Sequence, residues 1–517
     1  MSDAEHASWR PVGNPWVIAL VATMAPFMEI LDSTIVNVSL PHIAGSMSVS
    51  TDEATWVLTS YLVANGIVLP ISGWLSDVIG RKRFFLICIS MFTLCSFMCG
   101  IASSLWQLIL FRLLQGMFGG GLQPCQQSIV LDTFPPAQRG KAFGMTAIAT
   151  VVAPVMGPTL GGFITDNFSW RWVFLINVPI GIIAFMLSTI YVEDPPWARA
   201  RSRVMDYIGL ALVALGFGSL QVFLDKGEDL DWFSSNFILT FGALAFVGLV
   251  GAVLWLLYTD HPIVNLRLLK DRNFGLGCGM MGCMAVMLYA SAVMIPQMSQ
   301  LVLGYNATWA GLVLSPGALI MIMFIPVVGK LMGVVQTRFL VMVGFATLGV
   351  SMFAAHQWPP NVDFFTLVEV RTIQTVGLAF LFVPISTLAY LTLPKEQNSD
   401  GAAIYTMFRN VAGSVGISIV TALVDNAQQG HMFYMSQHLT PLDPGYAAEL
   451  PRFVQGLERV GQPASAAAGY IYRQLQTQAV MMGYNDVFLW CSLAAFAMVP
   501  LCWFFSAGKV RGGPAGH

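Results

Sequence analysis

The sequence predicts an all-α integral membrane protein of fourteen transmembrane helices. Composition and the length of its apolar runs predict the class, and the placement of Lys and Arg predicts the orientation. Of 517 residues, 56% are hydrophobic, 48 are Gly and only 10% are charged, with a net charge of −2. Soluble domains carry about 25% charged residues. This balance excludes a large soluble enzyme and a disordered chain. It also excludes a nucleic-acid binder, which needs a basic surface, so no nucleic-acid partner is expected.

A helix crossing the hydrocarbon core needs about 20 mostly apolar residues. Fourteen runs meet that need. Spans 1–6 fall at 16–39, 56–76, 84–102, 107–129, 142–164 and 172–191. Spans 7 and 8 follow at 207–224 and 236–258, and spans 9–14 at 275–297, 308–329, 339–355, 364–388, 401–424 and 486–507. Lipid offers backbone groups no partner, so such runs must be helical; a membrane β-barrel would show shorter alternating segments. Span 1 is expected to be retained rather than cleaved as a signal peptide. Only Arg10 is basic before it, and it carries Glu29 and Asp32.

With the N-terminus inside, 17 Lys and Arg fall in inner loops and tails. They are Arg10, the triplet Arg81–Arg83, Arg139, Lys141, Arg199, Arg201, Arg203, Arg267, Lys270, Arg272, Lys330, Arg338, Lys395, Lys509 and Arg511. The short outer loops hold only Arg171 and Lys226. That bias predicts cytoplasmic termini at both ends. All eight Cys fall within spans, so no disulfide framework is expected, and no spacing resembles a metal site.

The chain repeats internally. Arg112-Leu-Leu-Gln115 matches Arg371-Thr-Ile-Gln374, and Pro135-Pro-Ala-Gln138 matches Pro394-Lys-Glu-Gln397, both at an offset of 259 residues. Gly73-Trp-Leu75 matches Gly329-Lys-Leu331. Spans 1–6 therefore correspond to spans 9–14. The expected division is an N-terminal tail at 1–15, a six-helix half at 16–191, an inserted pair with its loops at 192–273, a second half at 274–507 and a tail at 508–517. The second half includes a long outer loop at 425–485. Two such halves, with a substrate path between them, are the arrangement of major facilitator transporters.

Several motifs resemble that superfamily. Gly73-Trp-Leu-Ser-Asp77-Val-Ile-Gly80-Arg81-Lys82-Arg83 resembles its loop signature, with Val78 where a basic residue is common. Arg112-Leu-Leu-Gln115-Gly116 resembles the span-4 motif linked to proton coupling. Ala153-Pro-Val-Met-Gly157-Pro158-Thr-Leu-Gly161-Gly162 resembles the antiporter motif of span 5, with Ala153 for the usual first Gly. The segments Leu31–Pro41 and Trp170–Gly181 are similar to those of fourteen-span drug:proton antiporters of EmrB/QacA type, and Leu230–Ser235 with the long outer loop leans to the EmrB side. The resemblance implies proton-driven efflux of small amphipathic drugs across the inner membrane, not an enzyme, with a proton gradient in place of a cofactor. It also implies a periplasmic adaptor of EmrA type and an outer-membrane channel. The alternative is a proton-coupled exporter or importer of one metabolite or siderophore.

Charges inside a bilayer are costly, which makes them candidates for function. They are Glu29, Asp32, Arg112, Glu369, Arg371 and Arg409. No His lies in a span, so a proton carrier there must be a carboxylate. Asp32 is roughly 10 Å, and Arg112 roughly 8 Å, below the outer ends of their helices, so the two can meet at one depth. Asp32 reads as a proton carrier, as a structural ion pair or as a cap on a broken helix. Glu29 shares its helix face, and reads as a second proton site, a cation-attracting group or a neutral acid. Glu369 is a further proton candidate, pointing away from Arg371. Arg371 occupies the repeat position of Arg112, and Arg409 is expected to snorkel or bind an inner-gate carboxylate.

Asp77, Arg81 and Arg83 are expected to lock the inner gate around the Gly73 and Gly80 turn. Gly157, Pro158, Gly161 and Gly162 are expected to form a tight, kinked seam between halves. The drug cavity is expected to use Asn37, Gln115, Gln123, Gln126, Gln127, Tyr289, Gln297 and Asn410 as polar anchors. Within 425–485, two amphipathic helices are expected. One carries Leu450, Phe453, Val454, Leu457 and Val460; the other carries Ile471, Leu475, Ala479 and Met482.

Overall fold

The computed structural model describes residues 11–195, 197, 204–227, 230–440, 443–459 and 467–505. Arg10, Arg199, Arg201, Arg203, Lys509, Arg511 and Val460 lie outside the described residues, as does the side chain of Leu457.

Each predicted span is helical over nearly all of its described residues. The first half comprises α1 (Pro15–Met47), α2 (Trp56–Ile79), α3 (Arg81–Ile101), α4 (Leu105–Gly119), α5 (Leu122–Thr133), α6 (Pro136–Asn167) and α7 (Asn177–Tyr191). The inserted pair is α8 (Tyr207–Lys226) and α9 (Asn236–Tyr258). The second half comprises α10 (Arg272–Leu301), α11 (Ala307–Leu331), α12 (Thr337–His356), α13 (Phe364–Ala389), α14 (Asn398–Ser436), α15 (Pro444–Arg459) and α16 (Ala467–Leu501). Asn14, Ser104, Asp206, Asp271, Asn306 and Asp363 cap helix starts by accepting from a backbone N–H two or three residues on.

Among the described residues, twelve stretches are long and apolar enough to cross a membrane. The two other predicted spans differ from a plain apolar rod. Span 4 is interrupted between α4 and α5 at Gly120 and Gly121, and span 5 is the Gly-rich α6.

The packing pairs repeat between halves. α1 lies on α6 as α10 lies on α14, and α2 on α4 as α11 on α13. The pairs α3–α4 and α3–α7 are matched by α12–α13 and α12–α16. Between halves, α6 meets α11 and α2 meets α14, the pairing that two copies about a twofold axis produce. α8 and α9 pack mainly on each other, and α8 also lies against α2.

Span 13 continues for 39 residues as α14, about 58 Å at 1.5 Å per residue. The predicted second amphipathic helix of the outer loop is not separate: 471–482 belongs to the 35-residue α16. α14 and α16 pack together, with Gly483 against the Val424 carbonyl and His431 against Asp486 at 2.7 Å. Both exceed the roughly 30 Å hydrocarbon thickness, so they form an antiparallel stalk beyond it. α15 is the remaining amphipathic helix.

Candidate functional site

Asp32 on α1 and Arg112 on α4 are both 0% exposed. Arg112 Nη1 donates to Asp32 Oδ2 at 2.6 Å. Gln115 Nε2 and Asn177 Nδ2 donate to the other carboxylate oxygen at 3.1 and 2.6 Å. Arg112 and Gln115 are three residues apart on one helix, so they face α1 together. Arg112 Nε also donates to the Val57 carbonyl at 3.2 Å, and the guanidinium lies 4.1 Å from the Tyr61 ring centre. A Cβ at Gly116 would strike the Tyr61 carbonyl, so the glycine is what admits α2 this closely.

One helical turn away, Glu29 accepts from Asn65 Nδ2 at 3.1 Å, Gln123 Nε2 at 2.5 Å and Tyr61 Oη at 3.5 Å. Tyr61 thus links the two acid sites, with its ring under the arginine that holds Asp32 and its hydroxyl on Glu29. The Gln123 carbonyl accepts from Arg409 Nη2, which comes from the second half. Arg409 Nε donates to Asn410 Oδ1 at 3.2 Å. A small cleft between the halves is lined here by Thr23, Pro26, Gln123, Gln126, Gln127, Thr146, Thr406 and Arg409. Glu29 is 6% exposed beside it.

The halves are fastened at the face carrying the Arg81–Arg83 loop. Arg81 pairs with Asp132 of α5, and its Nη2 donates to Ser399 Oγ of α14 at 2.9 Å. Asn398 Nδ2 donates to Asp132 Oδ1 at 2.7 Å. A Cβ on Gly73 would lie 3.0 Å from the Ser399 carbonyl and from Asp400 Cα, so this glycine marks the close approach of α2 to α14. Gly80, at φ 92°, turns α2 into α3 in one residue.

The Major Facilitator Superfamily profile matches residues 22–417. The chain belongs to the major facilitator superfamily. It is 37% identical over 503 residues to the "Multidrug export protein EmrB" of Escherichia coli K12, covering 96% of this chain and 97% of that protein. It is 34% identical to the "Fatty acid resistance protein FarB" of Neisseria gonorrhoeae, covering 97% and 98%. The human organic anion transporter MFSD10 shares the fold at a TM-score of 0.58 and 12% identity, over 93% of this chain and 100% of that one. The proton:xylose symporter XylE does so at 0.57 and 13%, over 94% and 96%.

On this major facilitator frame the sequence-predicted residues separate into groups. Asp32, Glu29, Arg112 and Gln115 come together. Gln115, expected in the drug cavity, is instead spent on Asp32, because its position on α4 faces α1. Asn37 and Gln297 are exposed, away from the cleft, and Tyr289 packs against Gly413. Glu369 is exposed in the second turn of α13 and has no hydrogen bond or ion pair among the described residues; it does not join the buried acids. Arg409 binds Gln123 rather than a gate carboxylate. Arg81 finds its acid in Asp132; Asp77 is buried close by, and Arg83 is exposed.

The glycines of span 5 require a correction. Gly157 meets Thr34, and a Cβ on Gly161 would lie 3.0 Å from the Ile35 carbonyl, so both pack α6 on α1 within the first half. Gly162 has open space around it, and the Pro158 side chain lies outside the described residues. The seam between halves uses Gly140 against Met332 and Gly144 against Ile325, roughly three and a half to six turns toward the basic loops. Helical periodicity cannot say which neighbour a small face meets.

Other residues went unnoticed as ligands. Asn177 lies within the Trp170–Gly181 segment, where an uncharged amide gives no sign of its partner. Tyr61, Asn65 and Asp132 carry no sequence signal beyond being polar in or near a span. Ser291 did carry one: it stands 259 residues after Asp32, the offset of the repeat.

Proposed function

We propose that this chain is a proton-driven antiporter that exports amphipathic toxic compounds across the inner membrane, with its basic loops on the cytoplasmic side. The observation that carries the reading is Asp32, a fully buried carboxylate held by one arginine and two amides. Protonating it removes the charge that retains Arg112, while Gln115 and Asn177 can still bond a neutral acid. The helices α1, α4 and α7 then lose their shared ionic centre. That gives each protonation state its own preferred packing, which antiport requires. The names of the EmrB and FarB relatives support efflux of amphiphiles. The loop bias of Lys and Arg supports the orientation. At roughly 150 mV, one charge moved supplies about 3.5 kcal/mol, a several-hundred-fold concentration ratio.

Glu29 is the second acid of the cycle. It lies next to the cleft and reaches Arg409 through Gln123, so a ligand that takes Gln123 from either partner alters both halves. The α14–α16 stalk with α15 is the surface for a periplasmic adaptor of EmrA type leading to an outer-membrane channel.

The test is proteoliposome transport with cationic, anionic and neutral amphiphiles under an imposed pH gradient. Uphill export that stops with an uncoupler, and proton flux lost in Asp32→Asn, are the expected results. Undiminished uphill export by Asp32→Asn overturns the assignment. Inward uptake of a single metabolite would select the rival reading.

A further inference from the structure

The two halves differ at one buried charge. Arg371 is the repeat partner of Arg112 and is 3% exposed on α13. Its Nη1 donates to Gln374 Oε1 at 2.5 Å, as Arg112 Nη1 donates to Gln115 Oε1 at 2.9 Å. The next partner breaks the symmetry. Where Arg112 meets the Asp32 carboxylate, Arg371 meets the Ser291 hydroxyl at 2.7 Å. No acid lies within ion-pair distance of Arg371 among the described residues. Glu369, the nearest in sequence, is exposed on the other side of the helix.

The consequences run through the whole cluster. Arg371 Nε has no acceptor among the described residues, whereas Arg112 Nε has the Val57 carbonyl. Gln374 Nε2 reaches only the Met352 sulfur at 3.4 Å, a weak acceptor, whereas Gln115 Nε2 reaches Asp32. The Ser291 hydroxyl proton is turned back onto its own helix, at the Leu288 carbonyl. Three donor groups therefore converge where the first half places a carboxylate, and what they lack is an acceptor with negative charge. A buried guanidinium without one is costly. Serine is also shorter than aspartate by the carboxylate itself.

We propose that the Arg371–Ser291–Gln374 cluster is an anion site that takes a small monovalent anion such as chloride in place of the missing carboxylate. The bound ion accepts from Arg371, from the Gln374 amide and from the Ser291 hydroxyl once it rotates off Leu288. The first half then carries a covalent, protonatable counter-charge and the second a diffusible one. This assignment is independent of the direction of transport.

The experiment is thermal unfolding of the full chain in lipid nanodiscs, titrating chloride, nitrate or an amphiphilic carboxylate into a gluconate buffer at constant ionic strength. Chloride and nitrate are expected to raise Tm saturably, by at least about 2 °C. Ser291→Asp supplies an internal carboxylate, so it keeps the fold and abolishes the response; Arg371→Gln abolishes it by removing the charge. A wild-type Tm indifferent to chloride up to high concentration overturns the proposal. A chloride response that persists in Ser291→Asp reports general salt effects and overturns it too. A response confined to the amphiphilic carboxylate assigns the cluster to substrate and overturns the small-ion identity.

Discussion

Asp32 and Arg112 bind each other so completely that either is poorly replaceable by a smaller group. Asp32→Ala should destabilise the protein by about 3–5 kcal/mol, because it leaves a buried guanidinium without its counter-charge. Asp32→Asn also removes the counter-charge, but its amide oxygen can still accept from Arg112, Gln115 or Asn177, so it should destabilise less than Asp32→Ala while losing proton coupling. Unfolding in lipid nanodiscs and proton release on drug addition separate the two effects. Glu29→Gln should leave the Asp32 pair intact but shift the pH profile of export, since it removes one titrating group beside the cleft; a profile identical to wild type would exclude Glu29 from the cycle. Asp363, outside the membrane at the start of α13, shows a simpler dependence. The Thr366 hydroxyl and backbone N–H hold its carboxyl below the usual range. Its capping contribution is therefore present above the ordinary carboxylate pKa and lost as pH falls through the lowered folded value. Faster hydrogen exchange in the first turn of α13 at acid pH is the expected readout. Among the residues, the charged members of the site were readable because charge inside an apolar run stands out. Their neutral ligands, Tyr61, Asn65 and Asn177, were not, since an uncharged polar residue in a membrane helix has many possible partners.

Helices meet in this protein where glycine removes a side chain. Gly116 and Gly120 bring α4 against α2, and Gly73 brings α2 against α14. The two contacts have different consequences, because the first lies within a half and the second between halves. Gly73→Val should push the basic ends of α2 and α14 apart without disturbing the Asp32 site. Peptide-resolved alkylation of the buried Cys125 should then accelerate by about tenfold, the equivalent of a shift near 1.4 kcal/mol toward the open state. Gly116→Val should instead lower stability, by displacing Tyr61 from beneath Arg112. Small-residue spacing in the sequence pointed to close contact in span 5, and contact is there. It runs to α1 rather than across the halves, since Gly157 and Gly161 face α1 and the seam falls to Gly140 and Gly144.

At the scale of the molecule, the halves alternate only if the basic face can open. Gly144 and Ile325 face each other across the seam, and a Cβ on Gly144 would lie 3.9 Å from Ile325 Cβ, a separation that suits a disulfide. In a Gly144→Cys, Ile325→Cys variant, oxidation should reduce transport below about a tenth of wild type, as expected when a required motion is locked out. Reduction should restore it. Transport unaffected by the cross-link would mean that this seam does not move. The apolar runs and the repeat at an offset of 259 residues, read from the chain alone, determined the membrane class, the helices and the correspondence of the halves. They do so because lipid enforces helices and a duplicated sequence keeps its register. Only the tertiary structure decided which polar groups meet: Tyr61 between Glu29 and Arg112, the pairing of Arg81 with Asp132, and the want of an ion-pair acid for Arg371 among the described residues. Those depend on rotations of one helix against another, and a run of twenty apolar residues carries little information about its own rotation.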